Sequence, residues 1–116
     1  MEIKFAEKKL EKLVNNDRKM LKAFGEKRAT LLRRRLSQLA DAKTLDDVRY
    51  LPGNYHELKY ERKGQWSCDL DQPYRLIFTP QEKPIPENEN GQYLWLEITE
   101  IEVVEVTDYH KDKRPC

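Results

Sequence analysis

An α+β fold, with N-terminal helices packed on an antiparallel β-sheet, is predicted by three observations. Between Met1 and Ala40 apolar residues recur at three- and four-residue intervals, the spacing of a helical face. Beyond Pro52-Gly53 the pattern changes to short segments rich in aromatic and β-branched residues, bounded by turn residues. The connections between the first three of these segments are hairpin length, so neighbouring strands run antiparallel. Helices first and strands afterwards put a helical layer on a sheet.

Residues 2–5 read as an edge strand, followed by a helix in which Leu10, Leu13 and Val14 share a face. That helix pauses at Asn15-Asn16. Asp17 is placed to cap a further turn and a half carrying Met20, Leu21 and Phe24, and Gly25 to end it in the left-handed conformation. Over residues 26–40, Ala29, Leu32, Leu36 and Leu39 form one stripe and leave Arg28, Arg34 and Arg35 largely outside it. Thr44 with Asp47 signals a short capped turn, closed by Pro52-Gly53. Strands are expected at residues 55–60, 65–70, 74–79 and within 99–109. The last has apolar residues on both alternating sets (Ile101, Val103, Val104, Val106), as a strand covered on two sides does. Residues 80–92 hold Pro80, Pro84, Pro86 and Gly91 among polar side chains, which predicts a mobile surface insertion pinned by Tyr93 and Trp95.

A chain of 116 residues suits one domain over residues 1–116. Charged residues make up 37% and apolar ones 38%, so the core is thin and most elements keep a solvated face. No run approaches the roughly 20 apolar residues of a membrane span, and no signal peptide is visible, so a cytoplasmic location is expected with no membrane partner. Cys68 and Cys116 lack metal-ligand spacing and suit reduced thiols. The net charge of +1 hides a division: residues 1–35 hold twelve Lys/Arg against five acids, while residues 81–108 oppose eight acids with Lys83 alone. A polyanion meets one part of this surface and is repelled by another.

The second half gathers His56, Lys59, Arg62, Lys63, Trp66, Arg75, Tyr109 and His110. RNA can be cut without a metal when a base takes the 2′-hydroxyl proton, cations stabilise the phosphate and an acid protonates the leaving oxygen. His, Lys, Arg and Tyr can fill these roles. The acids fall mainly on helix surfaces and the acidic C-terminal segment, so neither a metal site nor any other cofactor is expected. Spacing alone favours the plainer readings: structural histidines, a solvated Arg33-Arg34-Arg35 face, and Trp66 and Tyr74 as packing residues.

Leu51-Pro52-Gly53, His56-Glu57-Leu58-Lys59, Arg62-Lys63-Gly64-Gln65-Trp66-Ser67, Tyr74-Arg75-Leu76-Ile77-Phe78 and Asp108-Tyr109-His110 occur in that order along the chain. Their order and spacing resemble the HigB branch of the RelE toxin superfamily over nearly the whole chain. The resemblance implies a RelE-like fold and a type II toxin that cuts mRNA in the decoding site of the ribosome. On matching positions His56, Arg75, Tyr109 and His110 form the catalytic group, with Lys59 as a further cation. His110 or His56 handles a proton, Arg75 stabilises the phosphate, and Tyr109 positions or stacks on the substrate. Arg62 and Lys63, with the basic helices, hold phosphates of message or ribosome. Pro73 stands where the family often has a polar residue, and the segment over residues 80–98 is longer than in the shortest members.

The resemblance also implies a HigA-type helix-turn-helix antitoxin as partner, through which alone operator DNA is met. The basic helices suit a seat for that partner as well as for RNA. Two other functions use the same surface: a non-catalytic RNA- or ribosome-binding inhibitor of translation, and an antitoxin-associated co-repressor.

Overall fold

Helices and a five-stranded sheet form two layers, and the computed structural model describes residues 1–108. Strand β1 (Glu2–Phe5) leads into α1 (Lys8–Val14) and α2 (Asp17–Asp41), followed by a 3₁₀ turn over Leu45–Tyr50. Strands β2 (His56–Glu57), β3 (Trp66–Asp69), β4 (Tyr74–Pro80) and β5 (Glu100–Asp108) complete the sheet, in the spatial order β1-β5-β4-β3-β2. The expected antiparallel pairing holds from β2 to β5. At the other edge β1 runs parallel to β5, Ile3 opposite Ile101, because the helices and the other strands intervene and supply the long connection that a parallel pair needs.

Helix α2 buries Met20, Ala29, Leu32 and Leu39 against Trp66, Leu76, Phe78, Ile101 and Val103 of the sheet. Each fully buried Leu, Ile, Val, Phe or Met side chain contributes on the order of 1.5–3 kcal/mol. The cap of α2 is Asn16, whose side chain accepts from the Lys19 N–H, one residue earlier than expected. Gly25 breaks α2 at φ 81°, ψ 165°, so the two predicted helical pieces follow one another across a kink. That ψ is extended, and the expected left-handed helical ending is replaced by a backbone region open essentially to glycine.

Two arginines expected on the outer face of α2 turn inward. Arg35 is 9% exposed, donating from Nε to the Asp69 carbonyl at 2.8 Å and from a terminal nitrogen to the Pro52 carbonyl at 3.2 Å. Gly53 permits this approach, since a Cβ there would stand 2.8 Å from the Arg35 Cζ. Arg28 reaches the β3–β4 turn, where it binds Asp71. Long stems let both residues cover apolar surface while their charged ends find partners.

Strand β2 is shorter than predicted. Tyr60 adopts φ 56° and opens a 3₁₀ turn over Tyr60–Arg62, which ends the alternation expected across residues 55–60. Between β4 and β5 the register passes from Ile77–Glu105 to Phe78–Val103, leaving Val104 as the extra residue of a bulge.

The insertion is tied rather than loose. Asn88 N–H donates to the Gln92 carbonyl at 2.9 Å, and Leu94 N–H to the Pro86 carbonyl at 2.9 Å. As predicted, Tyr93 and Trp95 pin it: their rings lie 5.1 Å apart, and Trp95 meets Trp66 edge-on at 5.5 Å. No helix among the described residues is long and apolar enough to cross a membrane.

Candidate active site

At the end of the sheet nearest the β3–β4 turn, a cleft of about 290 Å³ is lined by Asn54, His56, Asp69, Tyr74, Arg75 and the Gln72-Pro73 turn. The first link is local sequence. Pro52-Gly53-Asn54 turns the chain, with Asn54 at φ 55°, a conformation asparagine tolerates better than most residues. The carbonyl of Asn54 then lies 2.7 Å from Nδ1 of His56. A carbonyl only accepts, so the neutral imidazole carries its proton on Nδ1 and leaves the Nε2 lone pair available.

Arg75 enters from β4, opposite Asp69 on β3 and Thr107 on β5, and is 4% exposed while lining the cleft. Strand neighbours on both sides therefore fix its backbone. Tyr74 is held from behind: the Arg28 guanidinium lies 3.3 Å from its ring centroid and binds Asp71 through two bonds of 2.9 and 3.2 Å. The planar fork both stacks and pairs, which fixes the Asp71-Gln72-Pro73 turn that walls the cleft. Pro73 takes the position where a polar residue is often found in the family, and polar lining comes instead from Asn54 and Asp69.

The other candidate residues are distributed differently. Lys59 and Lys63 are exposed, Lys63 with its Nζ 5.5 Å from the Tyr93 ring centroid. Arg62 is 2% exposed and donates to Gln65 Oε1 at 2.7 Å and to Glu105 Oε2 at 3.3 Å. The solvent-facing phosphate contact expected of Arg62 is replaced by a buried anchor for the turn. Tyr109 and His110 lie outside the described residues; the preceding residue, Asp108, pairs in register with Tyr74. Among the described residues no three His, Cys, Asp or Glu side chains gather as a metal-binding group.

Beneath the site, Tyr55 donates to Gln38 Oε1 at 2.8 Å, and its hydroxyl is held far above its ordinary pKa by burial. Burial likewise pushes the thiol of Cys68, a free cysteine, up to about 12. Both are neutral packing groups at physiological pH.

Asn54, Asp69 and the Arg28–Asp71–Tyr74 cluster were missed as site residues. The Pro-Gly-Asn turn carried a signal for Asn54. Arg28 and Tyr74 are joined only by the tertiary fold, and no spacing rule links them.

Two helical segments on a small five-stranded sheet make this an α+β protein consistent with the RelE-like toxin class. The family model of HigB, a RelE-like toxin of type II toxin–antitoxin systems, matches residues 3–94, and the chain belongs to that family. Membership implies an antitoxin partner. No curated protein matches the chain.

Proposed function

We propose that this toxin is a ribosome-dependent endoribonuclease that cuts mRNA in the decoding site without a metal or other cofactor. The observation that carries this reading is the single cleft shared by His56 and Arg75. His56, with Nδ1 facing the Asn54 carbonyl, takes the 2′-hydroxyl proton at Nε2. Arg75 stabilises the charge that develops on the phosphate. His110 returns a proton to the leaving 5′-oxygen, and Tyr109 positions the substrate. These last two roles rest on the resemblance, since the family match ends at residue 94. Lys59 and Lys63 supply cations along the RNA, and Arg62 holds the turn that presents them. The antitoxin is of the HigA helix-turn-helix type and carries the DNA contact. The protein acts in the cytoplasm.

The test is 5′-end mapping of a reporter mRNA in a purified translation system, with and without ribosomes, using wild type and Arg75→Ala. Cuts within the reading frame that require both ribosomes and Arg75 are expected. Translation arrested on intact message, unaltered by the substitution, would replace the enzyme with a binding inhibitor.

A further inference from the structure

The insertion and the turn after β2 enclose a second groove, separate from the His56–Arg75 cleft. We propose that this groove holds one unpaired nucleotide of the message, its base stacked between Tyr60 and Tyr93 and its phosphates met by Lys59 and Lys63. The proposal rests on the nuclease reading and assigns the insertion a part in substrate binding.

Tyr60, Tyr93, Lys59 and Lys63 line one groove of about 310 Å³. Tyr93 is half-buried and rigidly backed, because Trp95 lies beneath it and is itself wedged on Trp66. The Lys63 ammonium lies over the Tyr93 ring, 5.5 Å from its centroid, so this exposed lysine must swing aside toward the phosphates for a base to stack on that face. Tyr60 is 72% exposed and sits at φ 56°, a region an aromatic residue seldom occupies. The turn enforces that conformation: Lys63 N–H bonds the Tyr60 carbonyl at 3.0 Å, and buried Arg62 anchors the segment. Strain of this kind persists where surrounding structure over-determines it, and here it presents a large ring to solvent. Gly64 keeps the two walls close, since a Cβ there would lie 3.0 Å from Ile85 Cδ1 of the insertion.

The charge of the groove suits a phosphate chain. Glu57 also lines it, but both terminal nitrogens of Arg49 donate to its carboxylate at 3.2 Å, leaving Lys59 and Lys63 as the uncompensated pair of the lining. Glu61, Glu87 and Glu89 are not among the lining side chains of this groove. Two aromatic faces with two cations match single-stranded nucleic acid, where bases stack on rings and phosphates meet lysines. An acidic peptide would use the cations and leave the rings idle. The message is the source because His56 and Glu57 are successive residues of β2, one lining the cleft and the other the groove. A strand crossing that short edge occupies both.

The experiment uses the whole chain and a labelled single-stranded RNA, intact or with one abasic position, followed by fluorescence anisotropy. Tyr93→Leu and Tyr60→Ala should each weaken the intact strand about 10-fold. The abasic strand should bind wild type more weakly by a similar factor, yet bind the tyrosine variants no worse than the intact strand does. Tyr60 contributes an exposed ring, so its variant keeps the test valid if Tyr93→Leu unsettles the insertion. Equal binding of intact and abasic strands to wild type would overturn the proposal.

On programmed ribosomes, cutting should fall when the flanking message nucleotide is abasic, and Tyr60→Ala should add no further loss. A loss in Tyr60→Ala that ignores the abasic position would assign the ring to ribosomal RNA and overturn the assignment to message. Arg75→Ala distinguishes the two levels: it should stop cutting while the tyrosine-dependent part of strand binding stays. Undiminished cutting by Arg75→Ala would take Arg75 out of the catalytic group, and message left intact by the wild-type protein on ribosomes would end the nuclease reading; either result leaves the groove standing.

Discussion

His56 and Arg75 line one cleft at different degrees of burial. His56 is half-exposed, held by one backbone carbonyl at 2.7 Å, so it can be removed with little disturbance to the core. His56→Ala is expected to lower message cutting by about 100-fold or more, the usual worth of a general base, with an almost unchanged melting temperature. Primer extension beside a thermal melt reads both quantities. Arg35 shows the opposite case. Arg35→Met removes the Arg35 donor from the Asp69 carbonyl, while the Pro52 carbonyl keeps Gln38 Nε2 at 3.1 Å, and should cost about 1–3 kcal/mol in urea unfolding, a loss that an ordinary solvated arginine would not give. The sequence marked the histidine as a candidate because its residue type carries chemistry, and the structure sets it in the lining of a cleft. It misplaced Arg28 and Arg35 because apolar periodicity treats every arginine on a helix as outward, whereas these find a carbonyl or a carboxylate contributed by distant segments.

Among elements, the breaks are more informative than the runs. Gly25 has open space around its Cα but a backbone conformation closed to other residues, so Gly25→Ala is expected to destabilise by about 1–3 kcal/mol. If the helix instead straightens to relieve the strain, the first part of α2 leaves its site on the sheet. Urea unfolding with far-UV circular dichroism separates the two results, since straightening raises helicity. The helices and β3, β4 and β5 were legible because their periodicities survive over many residues. The parallel β1–β5 pair and the shortened β2 were not. The first depends on which edge remains open after the other strands have paired; the second depends on one positive φ at Tyr60, a residue with no such preference.

Across the molecule, helix, turn and sheet share one buried seam in which Tyr55 and Cys68 are both neutral. Their folded-state pKa values lie above the unfolded ones, from 9.0 up to about 12 for Cys68, so the folded chain retains protons that the unfolded chain gives up. Stability from these groups is full below pH 9 and falls as pH rises toward about 12. The urea midpoint should drop between pH 8 and about pH 10.5, and by less in Cys68→Ala; a midpoint constant over that interval would contradict the burial of both groups. The parallel pairing of β1 with β5 has its own consequence for the order of assembly. Of the five strands β5 is the last to be synthesised, yet it lies inside the sheet, between β1 and β4. A nascent chain that has made the other four still presents two bare strand edges, and the flank of Arg75 facing Thr107 is unformed. The cleft is lined by segments made earlier, but the sheet that backs Arg75 is complete only once the last-made strand has joined β4 on one side and β1 on the other.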